Sequence, residues 1–216
     1  MGIEKNTLNI HTIDYTAAPG SLISSTKLEN MFKFTNSLLY TIKQIPSITT
    51  IIIDPSKLLN LDKNYYQNYY TEEMEKIIDG LTEQLEKLIE SKSTTEGIIL
   101  IYNLNKFITS IEDKKKIEPF FKNIKKYEKI SVIAVEETKK LKDFQYEAWF
   151  TNIFGSGNGL WIGKGISDQS IIKTSSYSKE LQVNYKNDMG FSVIDGDAIL
   201  VRYIDFISKD EEDENE

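Results

Sequence analysis

The chain has 216 residues, a net charge of −7 at neutral pH, one histidine and no cysteine. Without cysteine there is no disulfide and no thiolate zinc site, and the single His11 excludes multi-histidine metal centres. The acidic balance argues against a general nucleic-acid-binding protein, and no apolar run reaches the roughly 18 residues that a transmembrane helix needs.

The first part of the chain is predicted to contain two strands and one helix. Residues 8–15 alternate apolar and polar side chains, which indicates a strand. Residues 16–21 contain proline and glycine and indicate a loop. Apolar residues spaced three and four apart predict a helix over 26–45. A β-branched run within 49–59 predicts a buried strand that ends at Asp54.

The rest of the chain continues this alternation. In chain order, the sequence predicts a helix over 71–92, a strand over 98–104, a helix over 113–129, a strand over 130–135, a helix over 137–154, a strand over 159–165, a helical turn within 167–173 and a hairpin over 189–204. The Asp195-Gly196 pair is a strong turn signal for that hairpin. Residues 208–216 are acidic and are predicted to form a disordered tail.

These elements predict an α/β fold. Buried strands that alternate with helices of crossover length indicate a mostly parallel sheet flanked by helices on both faces, here with a C-terminal β-hairpin. Neither an internal repeat nor a low-complexity linker interrupts residues 1–207. We therefore expect them to form a single domain.

The segment GSGNGLWIGKG, residues 155–165, superficially resembles the phosphate-binding pattern G-x-x-x-x-G-K-[ST]. Aligning it on Gly163 and Lys164 places Asn158 where the first glycine belongs and Gly165 where the hydroxyl residue belongs. Its interior is apolar, and no long amphipathic helix follows it, as a phosphate cradle would require. A glycine-bounded core strand is the favoured interpretation.

A phosphate loop in this fold should open the first long helix. Starting the alignment at Gly20 places Ser25 at the second glycine, Thr26 at the lysine and Lys27 at the Ser/Thr position. Two interpretations stay open. Lys27 could support weak anion binding, or Ser24, Ser25 and Thr26 could be ordinary N-caps of the helix, which is the favoured reading.

A second nucleotide motif is also missing. Nucleotide hydrolases place a carboxylate after an apolar strand to hold magnesium and orient water. Here the apolar run 98–101 is followed by Tyr102 and Asn103, and neither is a carboxylate. With both motifs degraded, the sequence predicts no catalytic residue and no metal ligand.

The remaining carboxylates favour structural roles. Asp54 at a strand end could be a metal or catalytic carboxylate, but the proline that follows it favours a structural turn. The pairs at 72–73 and 136–137 are typical of solvated helix starts rather than of acid–base pairs.

At residues 155–204 the sequence resembles the C-terminal end of the FtsK/SpoIIIE-type ATPases of type VII secretion. The shared features are the glycine-bounded strand, the Ser167-Asp168-Gln169 helix start and the final hairpin. The other elements match in order, most loosely over residues 1–60. The chain thus looks like the third, C-terminal ATPase-like domain of a type VII secretion coupling protein, which implies a RecA-like P-loop NTPase fold.

The resemblance also implies a setting and partners. Such coupling proteins carry tandem ATPase domains on the cytoplasmic side of the bacterial membrane and drive export of small helical proteins of the WXG kind. For this chain it implies contact with those substrates and with neighbouring ATPase domains of the same chain. Membrane contact would come only through the parent protein, and a homo-hexamer would form only in the full assembly.

The resemblance leaves the activity to be decided by the degraded motifs. Related active domains use ATP and magnesium, whereas no cofactor is expected here, so substrate recognition or regulation is the favoured role. An alternative is an ATPase in which Lys27 or Lys164 reaches the phosphates. A DNA translocase is a third reading, and the acidic balance counts against it.

Aromatic side chains are the candidate contacts for a partner. These are the tyrosines within 65–70 and the adjacent pair Trp149 and Phe150. For that pair two alternatives stay open: one ring is exposed on the surface, or both line core pockets.

Overall fold

The computed structural model describes residues 2–4, 10–11, 18–62, 66, 68–155, 158–175, 178–186 and 188–203. The predicted acidic tail at 208–216 lies outside them. So does most of the predicted strand at 8–15, of which only residues 10–11 are described.

The described residues form one sheet of ten strands with helices on its faces. The strands are β1 (Gly2–Glu4), β2 (Ile10–His11), β3 (Gly20–Ser25), β4 (Ile48–Ile53), β5 (Tyr69–Tyr70), β6 (Glu96–Tyr102), β7 (Ile130–Glu137), β8 (Gly159–Ile162), β9 (Met189–Ile194) and β10 (Asp197–Tyr203). The α-helices are α1 (Phe32–Lys43), α2 (Met74–Glu90), α3 (Leu104–Thr109), α4 (Ile117–Tyr127), α5 (Thr138–Leu141) and α6 (Ala148–Phe154). Short 3-10 helices cover Leu28–Met31, Lys114–Lys116, Ile166–Asp168 and Lys179–Gln182.

The sheet order is β2-β1-β10-β9-β8-β3-β7-β6-β4-β5. The strands from β8 to β5 are mutually parallel, while β9, β10, β1 and β2 add antiparallel pairs at one edge. The hairpin β9–β10 turns at Asp195 and Gly196, with φ of 51° and 88°, as a two-residue turn of type I′ requires. The predicted α/β class, the parallel centre and the C-terminal hairpin are confirmed.

Two apolar cores lie on opposite faces of the sheet. Helices α2, α4 and α6 cover one face, where Phe120 and Phe121 are fully buried. Helix α1 covers the other face, and Met31 and Leu39 are buried in the core on that face. Parallel strands with both faces covered are apolar on both sides, which is why β6 and β7 have nearly continuous apolar sequences.

Three predicted elements differ from the structure. The sequence predicts a loop over 16–21 and a helix from Thr26, but Gly20–Ser25 is a central strand. The helix expected over 137–154 is two short helices, because Glu147 has extended backbone angles of −70° and 134°. Helix α2 begins at Met74, since Glu73 before it is left-handed with φ of 56°.

Candidate functional site

The carboxyl edge of the central strands is where this topology places a ligand. The chain leaves β3 through α1 to reach β4 on one side, and leaves β7 through α5 and α6 to reach β8 on the other. In open α/β sheets, ligands bind at the carboxyl ends of strands whose connections diverge in this way. The candidate site is therefore the group of residues after β3 and β7.

The connection after β3 is too short for a phosphate loop. Only Thr26 and Lys27 separate the strand from the 3-10 helix that begins at Leu28. Lys27 is extended, with φ of −141° and ψ of 144°, so the chain does not wrap around an anion as a glycine-rich loop does.

A carboxylate of the chain itself occupies the start of this helix. The amide of Leu28 donates to Glu137 Oε1 at 3.2 Å. Backbone amides at a helix start are the groups that hold a phosphate in nucleotide-binding folds. Glu137 also lies 3.7 Å from Lys140 Nζ, which partly balances its charge.

Glu136, at the end of β7, is a second internal carboxylate. It is fully buried, its Oε2 accepts from Asn105 N at 2.8 Å and its Oε1 accepts from Glu137 N at 2.8 Å. Burial raises the pKa of its carboxyl above the usual value, although the two amides and Lys140 oppose that shift. The prediction of a solvated helix start at 136–137 is wrong for Glu136, which is buried in β7. Glu137 is partly exposed and is the N-cap residue of α5.

The hydroxyl residues after Gly20 bond to neighbouring strands. Ser24 Oγ donates to the carbonyl of Glu136 at 2.7 Å, and Ser25 Oγ donates to the carbonyl of Ile162 at 2.8 Å. Both serines are fully buried. The favoured N-cap interpretation is wrong, because Lys27 is the N-cap residue and the helix has no side-chain cap.

Gly20 and Thr26 have packing and bridging roles. A Cβ at Gly20 would lie 2.5 Å from the Ile153 side chain of α6, so this glycine serves helix packing. Thr26 Oγ1 accepts from Asn30 Nδ2 at 3.3 Å. Neither residue contributes to an anion cradle.

Tyr102 and Asn103 end the strand where a hydrolase would carry its carboxylate. Tyr102 is buried and its hydroxyl donates to the carbonyl of Leu28 at 3.2 Å. Burial, followed by the charges of Asp54, Glu136 and Glu29, raises the pKa of Tyr102. Asn103 is left-handed with φ of 66° and caps α3, accepting from Lys106 N at 3.1 Å.

Asp54, at the end of β4, holds a turn, as predicted. It accepts from Ser56 N at 3.1 Å, from Leu59 N at 2.8 Å and from the hydroxyl of Tyr69 at 3.1 Å. Burial and the neighbouring Asp54 raise the pKa of Tyr69 to about 12. The carboxylate oxygens of Asp54 therefore accept hydrogen bonds from groups of the chain itself.

The glycine-rich segment at 155–165 contains the core strand β8. The Trp161 indole donates to the carbonyl of Lys164 at 3.2 Å. Gly163 and Gly165 have φ of 76° and 92°, which a tight turn after the strand requires. The strand interpretation is confirmed.

The aromatic candidates for partner contact are mostly internal. Trp149 and Phe150 are both buried in the core that α4 and α6 cover, so the core alternative holds for this pair. Tyr69 is buried beside Asp54, Tyr66 and Tyr70 are half-buried, and position 65 lies outside the described residues.

The described part of the chain offers neither a metal site nor a membrane-spanning helix. No cluster of three or more acidic or histidine side chains there could hold a metal ion. No described helix combines the length and apolar character needed to cross a bilayer.

Comparison with solved structures identifies the fold. EssC (ATPases 2 and 3) from Geobacillus thermodenitrificans matches with a TM-score of 0.73 and 12% identity, covering 94% of this chain and 40% of that chain. The cytoplasmic domain of EssC matches with a TM-score of 0.71 and 12% identity, covering 94% and 42%. Thermomonospora curvata EccC (ATPases 2 and 3), in complex with a signal sequence peptide, matches with a TM-score of 0.65 and 13% identity, covering 94% and 39%.

The chain has the RecA-like α/β fold of the EssC and EccC cytoplasmic ATPase domains. It spans about two fifths of the length of these chains. No family model and no curated protein sequence matches it. The resemblance noted in the sequence is therefore confirmed at the level of the fold.

Proposed function

We propose that this chain is a non-hydrolysing ATPase-like domain of a type VII secretion coupling protein, and that it recognises secreted helical proteins or regulates the motor. The observation that carries the proposal is the Leu28 amide at the start of the helix after β3, which donates to Glu137 Oε1, whereas nucleotide-binding folds use such amides to hold a phosphate. The fold shared with EssC and EccC supports the general setting.

Several independent features of the site support the proposed loss of hydrolysis. The two-residue connection at Thr26 and Lys27 leaves no loop to wrap a phosphate. Tyr102 and Asn103 supply no carboxylate for magnesium, and their polar atoms bond to the backbone. Repair of one feature would leave the others in place, so we expect neither ATP nor magnesium to be a cofactor of this domain.

Recognition is the role that a retained fold without hydrolysis supports. The solved EccC complex contains a signal sequence peptide, and we propose that this chain likewise contacts WXG-type helical substrates or neighbouring ATPase domains. The corresponding setting is the cytoplasmic side of a bacterial membrane, within a larger and hexameric assembly. We propose no nucleic-acid substrate, since the net charge of −7 opposes polyanion binding.

Equilibrium titration tests the loss of nucleotide binding. A fluorescent ATP analogue is titrated with magnesium into the wild-type chain, Lys27→Ala and Lys164→Ala, with an active P-loop ATPase as positive control. We expect no saturable binding and no phosphate release in any of the three. Micromolar binding that disappears in Lys27→Ala or Lys164→Ala would support the alternative of an ATPase with unconventional motifs.

A separate experiment tests recognition. Purified WXG-type proteins are titrated against the immobilised chain, and we expect saturable binding that excess unlabelled chain competes away. Absence of binding to all of them, together with absence of nucleotide binding, would leave regulation through neighbouring domains as the remaining role.

A further inference from the structure

The outer face of α4 and its preceding turn is basic within an acidic chain. Residues 114–129 include seven lysines and two glutamates, whereas the whole chain has a net charge of −7. Lys114 donates to the carbonyl of Ile108 at 2.6 Å, and Lys116 pairs with Glu75 and Asp79 of α2. The other five lysines are exposed and have no ion-pair partner among the described residues: Lys115, Lys122, Lys125, Lys126 and Lys129.

A cleft lies beside these lysines, between α4 and α6. Its volume is about 210 Å³. Lys122, Lys125 and Glu118 stand at its rim, and its floor includes Phe121 and Trp149. The Trp149 ring stacks on that of Phe121 with centroids 4.7 Å apart and planes at 15°. Phe121 is fully buried, and Trp149, with 8% of its surface exposed, is the ring that a ligand in the cleft can contact.

We propose that this cleft binds an acidic segment of a protein partner, with carboxylates facing Lys122 and Lys125 and an aromatic or aliphatic side chain against Trp149. Charged rims steer complementary partners, and aromatic floors supply the anchoring contact. This inference rests on the proposed recognition function and names the surface and the partner chemistry for it.

Charge complementarity favours a polypeptide over a nucleic acid. A phosphate backbone places negative charges at short regular intervals, and Glu118 at the rim would face one of them. A polypeptide can place carboxylates beside the lysines and a donor beside Glu118. The net charge of −7 further disfavours a long polyanion.

Fluorescence titration of the full chain tests the proposal. The probe is a random copolymer of glutamate and tyrosine, compared with polyglutamate, a lysine–tyrosine copolymer and a single-stranded oligonucleotide. The readouts are the emission of Trp149 and the anisotropy of the dye-labelled probe. Trp161, the other tryptophan, is buried in β8, so we expect its emission to stay constant.

Charge reversal provides the matched variants. The double variant Lys122→Glu, Lys125→Glu is compared with Lys33→Glu, Lys173→Glu, which changes two exposed lysines outside the cleft and alters the net charge equally. We expect the first to bind the glutamate–tyrosine copolymer about tenfold more weakly than wild type. The control should stay within about twofold, because distant charges are screened at physiological salt.

Three outcomes would overturn the proposal. These are equal losses in both double variants, binding of polyglutamate as tightly as the copolymer, and tighter binding of the oligonucleotide. If the wild type and the Lys122→Glu, Lys125→Glu variant bind WXG-type proteins equally well, recognition stands and only this surface is rejected. Failure of the proposed function itself would show as loss of binding to those proteins altogether.

Discussion

At the scale of single residues, Gly190 in β9 occupies a position that no side chain fits. A Cβ there would lie 1.8 Å from the carbonyl oxygen of Trp161 and 2.8 Å from the Tyr203 hydroxyl oxygen. Because the first of these atoms belongs to the backbone of the adjacent strand, relief requires β8 and β9 to separate. We expect Gly190→Ala to lower the free energy of unfolding by about 3 kcal/mol, measured by urea denaturation. An unchanged midpoint would contradict this close approach.

The carboxyl of Glu136 predicts a pH effect of known sign. Burial raises its pKa in the folded state, so the folded chain binds this proton more tightly than the unfolded chain does. The free energy of unfolding contributed by Glu136 is therefore highest at low pH. It falls as pH rises from the unfolded-state pKa to the folded-state pKa, and stays lower above that range.

Comparison with Glu136→Gln isolates this effect, because glutamine does not titrate. We expect the stability of the wild type relative to the variant to decrease as pH rises above about 4.5, the ordinary glutamate value. Urea denaturation of both proteins at a series of pH values measures the difference. A stability difference that is constant, or that grows with pH, would show that burial does not disfavour the charged form of Glu136.

Gln169 shows how a short sequence motif acquires a physical meaning only in the structure. Its Nε2 donates to the carbonyls of Ile166 and Ile172, at 3.1 and 2.7 Å, and its Oε1 accepts from the amides of Ile171 and Ile172, at 2.7 and 2.8 Å. One side chain thus satisfies four backbone groups of the loop after β8. The Ser167-Asp168-Gln169 pattern marked the resemblance, but spacing alone could not predict this role.

At the scale of elements, α2 contains a glycine that serves no packing role. Gly80 is exposed within Met74–Glu90, and a Cβ there would meet nothing within 4 Å. Alanine has a higher helix propensity than glycine, by about 1 kcal/mol. We expect Gly80→Ala to raise the free energy of unfolding by about that amount, in contrast to Gly190→Ala in the same assay. A loss of stability would mean that this surface of α2 has a contact the structure does not show.

Strands with long apolar runs were predictable, and β3 was not. Strands β4, β6 and β7 have continuous β-branched or aliphatic sequences that predict burial on both faces. Strand β3 has only Leu22 and Ile23 between polar residues. Its serines are buried because they bond to the carbonyls of Glu136 and Ile162, residues far away in the sequence, so local patterns could not identify the strand.

The helix predicted over 137–154 failed for a related reason. Leu141, Phe144 and Ala148 have helical spacing, which predicted one continuous helix. In the structure Trp149 must stack on Phe121 while Phe154 packs near Gly20. The chain reorients at Glu147 to bring α6 onto the sheet. Tertiary packing thus decided a boundary that periodicity left unmarked.

At the scale of the whole molecule, the candidate site depends on contacts that only the sheet creates. Glu137 meets Leu28, and Glu136 meets Asn105, because β7 lies between β3 and β6. The sequence predicted degraded motifs at 20–27 and at 102–103. It could not predict that carboxylates of β7 bond to the amides of Leu28 and Asn105, just after these segments, since the sheet order is not encoded in local spacing.

The continuous sheet also predicts that the described residues unfold as one unit. Leu39 lies in the core under α1 and Leu85 in the core under α2, with exposed fractions of 1% and 2%. We expect Leu39→Ala and Leu85→Ala each to cost about 3 kcal/mol and to shift the same single transition, because both cores share the strands between them. Leu58→Ala, at a site 48% exposed, should leave the midpoint nearly unchanged. Calorimetry and circular dichroism measure this, and two separable transitions, each moved by one variant, would contradict a single domain.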